Sequence, residues 1–145
     1  MYDLETLIPH RPPMLLLGRI LDITESTVIA EVNINTNSAF FSPNRGVPSW
    51  IGLEYMAQAA AVLGTSQIDE EHAKEAIGYL VGTRKYTCSV TWFRAGNRLL
   101  VKCRRNIKGT ITLPLKHYHC EILTHQADTN KVIASARLSI YQRSQ

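Results

Sequence analysis

Two residues four apart, Glu54 and Gln58, are the best placed for chemistry. They lie in WIGLEYMAQAAAVLG (Trp50–Gly64), a run of helix length that is otherwise apolar or small apart from Tyr55. Spacing of i and i+4 sets the carboxylate and the amide side by side on one helix face. A helix apolar all round is read as buried, and an unpaired charge in an apolar interior costs many kcal/mol. A carboxyl enclosed by hydrocarbon keeps its proton toward neutrality, as a general acid must. Glu54 is therefore the candidate acid and Gln58 the group that holds it. The plain structural alternative is that Glu54 caps a loop or pairs with an arginine.

A base is harder to find among the five histidines. His10, in LIPHRPP, is the strongest candidate, because an imidazole titrates near neutral pH. Its alternative role is to organise the N-terminal loop. If His10 does not serve, Glu54 must make both proton transfers or the chain does not catalyse. His117, His119 and Glu121 alternate and would share one strand face. That set could ligate a metal, but solvated or interface side chains fit it better, and no metal is expected. His72 and His125 lie in polar stretches that point to nothing. Cys88, Cys103 and Cys120 lack C-x-x-C spacing and read as small core residues in a reducing compartment.

These side chains need a scaffold. Asp3–Ile8 reads as a short helix stopped by Pro9 and by Pro12-Pro13. Met14–Ile34 reads as two strands with a turn near Thr24–Ser26. In the second, Val28, Ala30, Val32 and Ile34 alternate with Ile29, Glu31 and Asn33, the period of a strand with one buried face. TNSAFFSPNRGVPS, rich in turn residues, is a loop, and Ser49 is a favoured N-cap for the central helix. Ala57, Ala60, Ala61 and Gly64 make that helix thin. Asp69–Ala76 is a polar connection with room for a helical turn.

The remainder is strand-like. Tyr86, Cys88, Val90 and Trp92 alternate inward, Arg94–Asn97 turns, and Leu99, Val101 and Cys103 alternate again. Lys108-Gly109 suggests a hairpin before a strand over Ile111–Leu123, and Asp128–Asn130 a turn into a last strand, Lys131–Gln142. Two strands, one apolar helix and three or four antiparallel strands make an α+β fold, an antiparallel sheet wrapped around one central helix.

The chain has 145 residues, 45% hydrophobic and 19% charged, which suits one globular domain over residues 1–145. No apolar run reaches the roughly 18 residues of a membrane-spanning helix. Asp3 and Glu5 stand where a secretory signal would be positive, so a cytoplasmic protein without membrane contact is expected. The net charge of +4 is modest. Arg84, Lys85, Arg98, Lys102, Arg104, Arg105 and Lys108 bias the second half toward basic. Aromatics are not interleaved with these charges as a single-strand nucleic-acid platform requires, so no nucleic acid is expected.

The motifs resemble a known family. LIPHRPPMLLLGRI (Leu7–Ile20) is similar to the L-P-H-R-x-P-x-L-L-V-D-R-V segment of the hot-dog-fold 3-hydroxyacyl-acyl-carrier-protein dehydratases of fatty-acid synthesis. Phe40-Phe41 and VPSWIGLEYMAQAA resemble that family's F-F followed by P-G-V-x-x-x-E-x-M-A-Q, with Pro48 six residues before Glu54. YLVGTRKYTCSVTWFRAGNRLLV is similar to its Y-L-x-G-x-x-x-x-x-F-x-x-x-V-x-P-G-D-x-L. The family's G-H-F-P, whose histidine is the base, is replaced here by a shorter SPNRGVPS. Gly18 replaces an aspartate and Ser49 a glycine. Asn44 lies where that histidine's loop ran, but an amide cannot abstract a proton. This divergent pattern looks closest to the dehydratase-like proteins of bacterial aryl-polyene clusters.

The resemblance implies a hot-dog domain whose tunnel forms where two protomers meet, as a homodimer, a higher oligomer or a heterodimer with a paralogous dehydratase. It implies elimination of water from a 3-hydroxyacyl thioester to the trans-2-enoyl thioester, without a cofactor. Glu54 and His10 would be catalytic. Gln58, Ser49, Trp50, Phe41 and Pro48 would bind substrate, with N–H groups at Ser49 and Trp50 polarising the thioester carbonyl. The partner would be an acidic acyl carrier protein bearing a phosphopantetheine-linked acyl chain, steered by Arg84, Lys85, Arg104 and Arg105. Two rivals share the fold: a non-catalytic partner subunit of an active dehydratase, and an acyl thioesterase with Glu54 as a base for water.

Overall fold

Strand alternation builds the molecule. The computed structural model describes residues 3–8, 11–66, 76–106, 115–126 and 129–144. In chain order these form helix α1 (Leu4–Leu7), strands β1 (Arg19–Ile23), β2 (Thr27–Asn33) and β3 (Val47–Pro48), a 3₁₀ turn (Ser49–Ile51) and helix α2 (Gly52–Ser66). Strands β4 (Ala76–Cys88), β5 (Trp92–Phe93), β6 (Arg98–Arg105), β7 (Leu115–Gln126) and β8 (Thr129–Ser144) follow. Six strands form one antiparallel sheet in the order β1-β2-β6-β7-β8-β4, and β3 pairs with β5 in a second, two-stranded sheet.

Inward side chains on successive strands, Val28 and Ala30 of β2, Val101 and Cys103 of β6, Cys120 and Ile122 of β7, are fully buried. They meet Met56, Ala59, Ala60 and Leu63 of α2, also fully buried, in one continuous apolar cluster. The small residues expected to thin the helix let it lie close, and the Cys103 thiol reaches the Met56 carbonyl oxygen at 3.5 Å. Gly52 marks the tightest approach. A Cβ there would stand 2.5 Å from Tyr86 Oη and 2.9 Å from Ile122 Cδ1. An antiparallel sheet around one central helix is thus the observed architecture, as the strand and helix periods require.

Two local expectations change. Met14–Gly18 is irregular rather than a strand, because the backbone groups of Met14 and Leu16 bond to Gln58 instead of to a neighbouring strand. Ser49 is not an N-cap of α2: it opens the 3₁₀ turn, whose own cap Pro48 makes no side-chain bond. Asp3 does cap α1, accepting from the Glu5 N–H at 3.0 Å. The connection at Asp69–Ala76 and the Lys108-Gly109 turn lie essentially outside the described residues.

Candidate active site

Gln58 is the anchor. It is 1% exposed, and a buried amide must find partners for both ends. Its Oε1 accepts from the Leu16 N–H at 2.9 Å, and its Nε2 donates to the Met14 carbonyl at 2.7 Å. The same nitrogen reaches Glu54 Oε1 at 3.4 Å. The expected Glu54–Gln58 pair forms, but its main effect is to pin the segment before β1 across the helix.

Glu54, in the first turn of α2, is half-buried rather than enclosed. One sheet covers only one side of a helix, so a stripe of Trp50, Glu54, Ala57 and Ala61 is left partly or fully open within a single protomer. No described arginine pairs with Glu54, which removes the plain ion-pair alternative among the described residues. Glu54 lines none of the three cavities along the loops and the outer sheet.

The donors at the front of the helix differ from expectation. The Ser49 N–H is spent on the Thr91 carbonyl at 3.0 Å, and the Ser49 carbonyl accepts from the Tyr86 hydroxyl. Burial holds that hydroxyl protonated far above its ordinary range, with Cys88 acting in the same sense. The 3₁₀ turn over Ser49–Ile51, capped by Pro48, turns the Ile51 N–H back toward the Pro48 carbonyl, so of the expected pair only the Trp50 N–H is left without a backbone acceptor among the described residues. Trp50 is 65% exposed and packs at 6.2 Å against exposed Phe40. Pro48, half-buried, pairs with Trp92 in the small sheet. Phe41 lines a separate loop cavity of about 620 Å³ with Asn44, Arg45 and Arg94. His10 lies outside the described residues.

The family model described as ApeP-like, ApeP dehydratase, matches residues 2–145. The chain belongs to the ApeP-like dehydratase family. Among curated relatives, the 3-hydroxyacyl-[acyl-carrier-protein] dehydratase FabZ of Anaeromyxobacter dehalogenans is 36% identical over 84 residues, covering 54% of each chain. The FabZ of Shewanella pealeana is 37% identical over 83 residues, again 54% of each. The chain thus spans about half the length of the curated relatives it matches. The dehydratase heterocomplex ApeI:P from Xenorhabdus doucetiae superposes with a TM-score of 0.80 at 24% identity, covering 99% of this chain and 92% of that one. A thioesterase family protein from Silicibacter pomeroyi gives 0.73 at 15% identity, covering 98% and 96%. These structures establish the hot-dog fold.

Within this ApeP-like chain the remaining candidates separate. His117 Nδ1 meets Ser139 Oγ at 3.0 Å, and His125 Nδ1 meets Asn130 Oδ1 at 2.6 Å. Glu121 stands opposite Lys102, and no metal-holding cluster forms among the described residues. Arg104 is exposed on the outer sheet face. Arg105 is half-buried on the inner one, its charge felt by the Tyr118 hydroxyl, which burial nevertheless pushes up to about 12. Lys85 is exposed at a positive-φ break in β4.

Sequence reasoning missed the most buried carboxylate among the described residues. Glu31, only 4% exposed on the outward side of β2, accepts from Arg19 at 2.9 Å, from Asn33 at 3.0 Å and from Arg98. Burial alone would raise this carboxyl, but the hydrogen bonds from Arg19, Arg98 and Asn33 outweigh it and hold it below the usual range. The alternation of β2 assigned Glu31 to the outer face correctly. Nothing in the sequence said that two arginines from other strands would cover it.

Proposed function

We propose that this chain eliminates water from a 3-hydroxyacyl thioester carried on an acyl carrier protein, giving the trans-2-enoyl thioester. The observation that supports the reading is the buried Gln58 amide, which reaches the Glu54 carboxyl at 3.4 Å, one helical turn after the Trp50 N–H that has no backbone acceptor among the described residues. In the reaction the base removes the C2 proton. Electron density moves onto the thioester oxygen, which the Trp50 N–H receives; one such donor is typically worth about 3 kcal/mol. Protonated Glu54 then gives its proton to the departing C3 hydroxyl, which leaves as water. His10 is the proposed base, and no cofactor is needed.

The open stripe over α2, together with exposed Trp50 and Phe40, supports a second hot-dog protomer closing the site over residues 1–145. The relatives' carrier-protein name and the charge of +4 support an acidic carrier partner in the cytosol. Of the cations assigned to it, Arg84 and Arg104 lie in one lateral row of the sheet, while Arg105 faces inward and Lys85 lies beside Arg84. Replacing Glu54 by Gln and His10 by Ala, with a 3-hydroxyacyl carrier substrate, tests the reading. The first is expected to abolish formation of the enoyl absorbance while leaving the fold intact. Unchanged turnover would remove the assignment.

A second reading has one specific support. Glu54 is open on one side, and the heterocomplex neighbour is a dehydratase of two chains. On this reading the chain completes an active paralogous partner instead of acting alone. Turnover by the purified homo-oligomer excludes it. Release of free thiol without enoyl product would instead favour thioester hydrolysis.

A further inference from the structure

The sheet presents Arg104 and Arg137 on either side of His119 on the face away from α2. Arg104 of β6 stands opposite His119 of β7, and His119 opposite Arg137 of β8. The register continues to Arg84 of β4, opposite Arg137. Arg104, His119 and Arg137 are all exposed, whereas their chain neighbours Cys103, Cys120 and Leu138 are buried against the helix side. The next row holds Asn106, His117 and Ser139, with the Asn106 N–H bonded to the His117 carbonyl at 2.9 Å. These six residues line a groove of about 760 Å³. No residue lining it is acidic, although the chain carries 12 Asp and Glu.

Like charges directly opposite on neighbouring strands repel. Glu121, one row away on this face, already stands opposite Lys102. Arg19 and Arg98 share the carboxylate of Glu31, but among the described residues no carboxylate compensates Arg104 or Arg137. Strands lie roughly 4.8 Å apart, so Arg104 and Arg137 stand roughly 10 Å apart with His119 between them. Both guanidiniums can fold over the ring and fork onto one compact anion. Arginine's rigid fork suits phosphoryl oxygens. A phosphoryl group offers three oxygens to two such forks, one more than a carboxylate has.

We propose that this groove binds a phosphoryl group, as a phosphate monoester or diphosphate, seated over His119 between Arg104 and Arg137. It stands across the sheet from Glu54 and does not depend on the reaction proposed there.

Calorimetric titration of the full chain with pyrophosphate at constant ionic strength tests this, with sulfate and chloride as controls. Saturable binding is expected, weakened roughly tenfold or more in Arg104→Gln/Arg137→Gln, a loss typical of charged hydrogen bonds. Lys102→Gln, on the same face, should change it less than about twofold on the same scale. Two further arms separate the sources. Binding of ADP without retention on phosphatidic-acid vesicles, whose headgroup is a phosphate monoester, assigns a soluble ester; vesicle retention lost in the double variant assigns a lipid headgroup. Either supports the site. Absent pyrophosphate binding, or equal weakening by Lys102→Gln and the double variant, overturns it, because the attraction is then diffuse charge.

Discussion

Replacing Gln58 by Leu removes the amide while conserving bulk, and the cost follows from what each end holds. The Leu16 N–H, part-buried and bonded at 2.9 Å, is left without its acceptor, and orphaning such a donor costs about 1–3 kcal/mol. The Met14 carbonyl loses its donor at 2.7 Å, but Met14 is 52% exposed, so water replaces most of that bond at a cost below about 1 kcal/mol. The sum is roughly 1–4 kcal/mol. Urea unfolding at fixed protein concentration should show a midpoint lower by roughly 1–2 M with an unchanged slope. Hydrogen exchange supplies the local readout: the Leu16 amide should lose protection before the core strands do. Gln58→Glu should keep the acceptor for Leu16 but place a second carboxylate beside Glu54. A stability change below about 1 kcal/mol in Gln58→Leu, with Leu16 protection intact, would refute this account of how Glu54 is positioned.

Two further outcomes follow from the packing. Because the folded-state carboxyl of Glu31 lies below its ordinary 4.5, its contribution is fully present above that value and is lost as pH falls through the folded value. Glu31→Gln should therefore cost about 1–3 kcal/mol near neutrality and flatten the acid limb of melting temperature against pH; parallel acid limbs would contradict the assignment. Gly52→Ala should cost about 1–3 kcal/mol by overpacking, since its Cβ would meet Tyr86 Oη, Ile122 Cδ1 and Phe93 Cζ within 3.0 Å. An unchanged midpoint would show that the Tyr86 ring yields freely.

Much of the fold was legible because its periods are local. Val28, Ala30 and Val32, then Leu99, Val101 and Cys103, alternate inward as strand geometry demands, and the largely apolar run after Trp50 is the central helix, buried on its sheet side and open along Glu54, Ala57 and Ala61. Pairing Glu54 with Gln58 needed only helical spacing. The errors share a different cause. Ser49 was read as a cap from its type, but its N–H was claimed by Thr91, a residue 42 positions away. Met14–Gly18 carried a strand's composition, yet its backbone partner was the side chain of Gln58. Each outcome depended on what a distant segment brought alongside.

By itself the sequence determined which residues face inward, where the helix runs, and which lone acid it carries, since these depend on chain geometry over a few neighbours. Only the tertiary structure decided which N–H groups remain unspent, that Glu31 is covered by Arg19 and Arg98, and that Arg104, His119 and Arg137 share one row. Those facts are set by strand order and register across long sequence separations. Alternation assigns a side chain to a face, but it does not say which strand lies next to it.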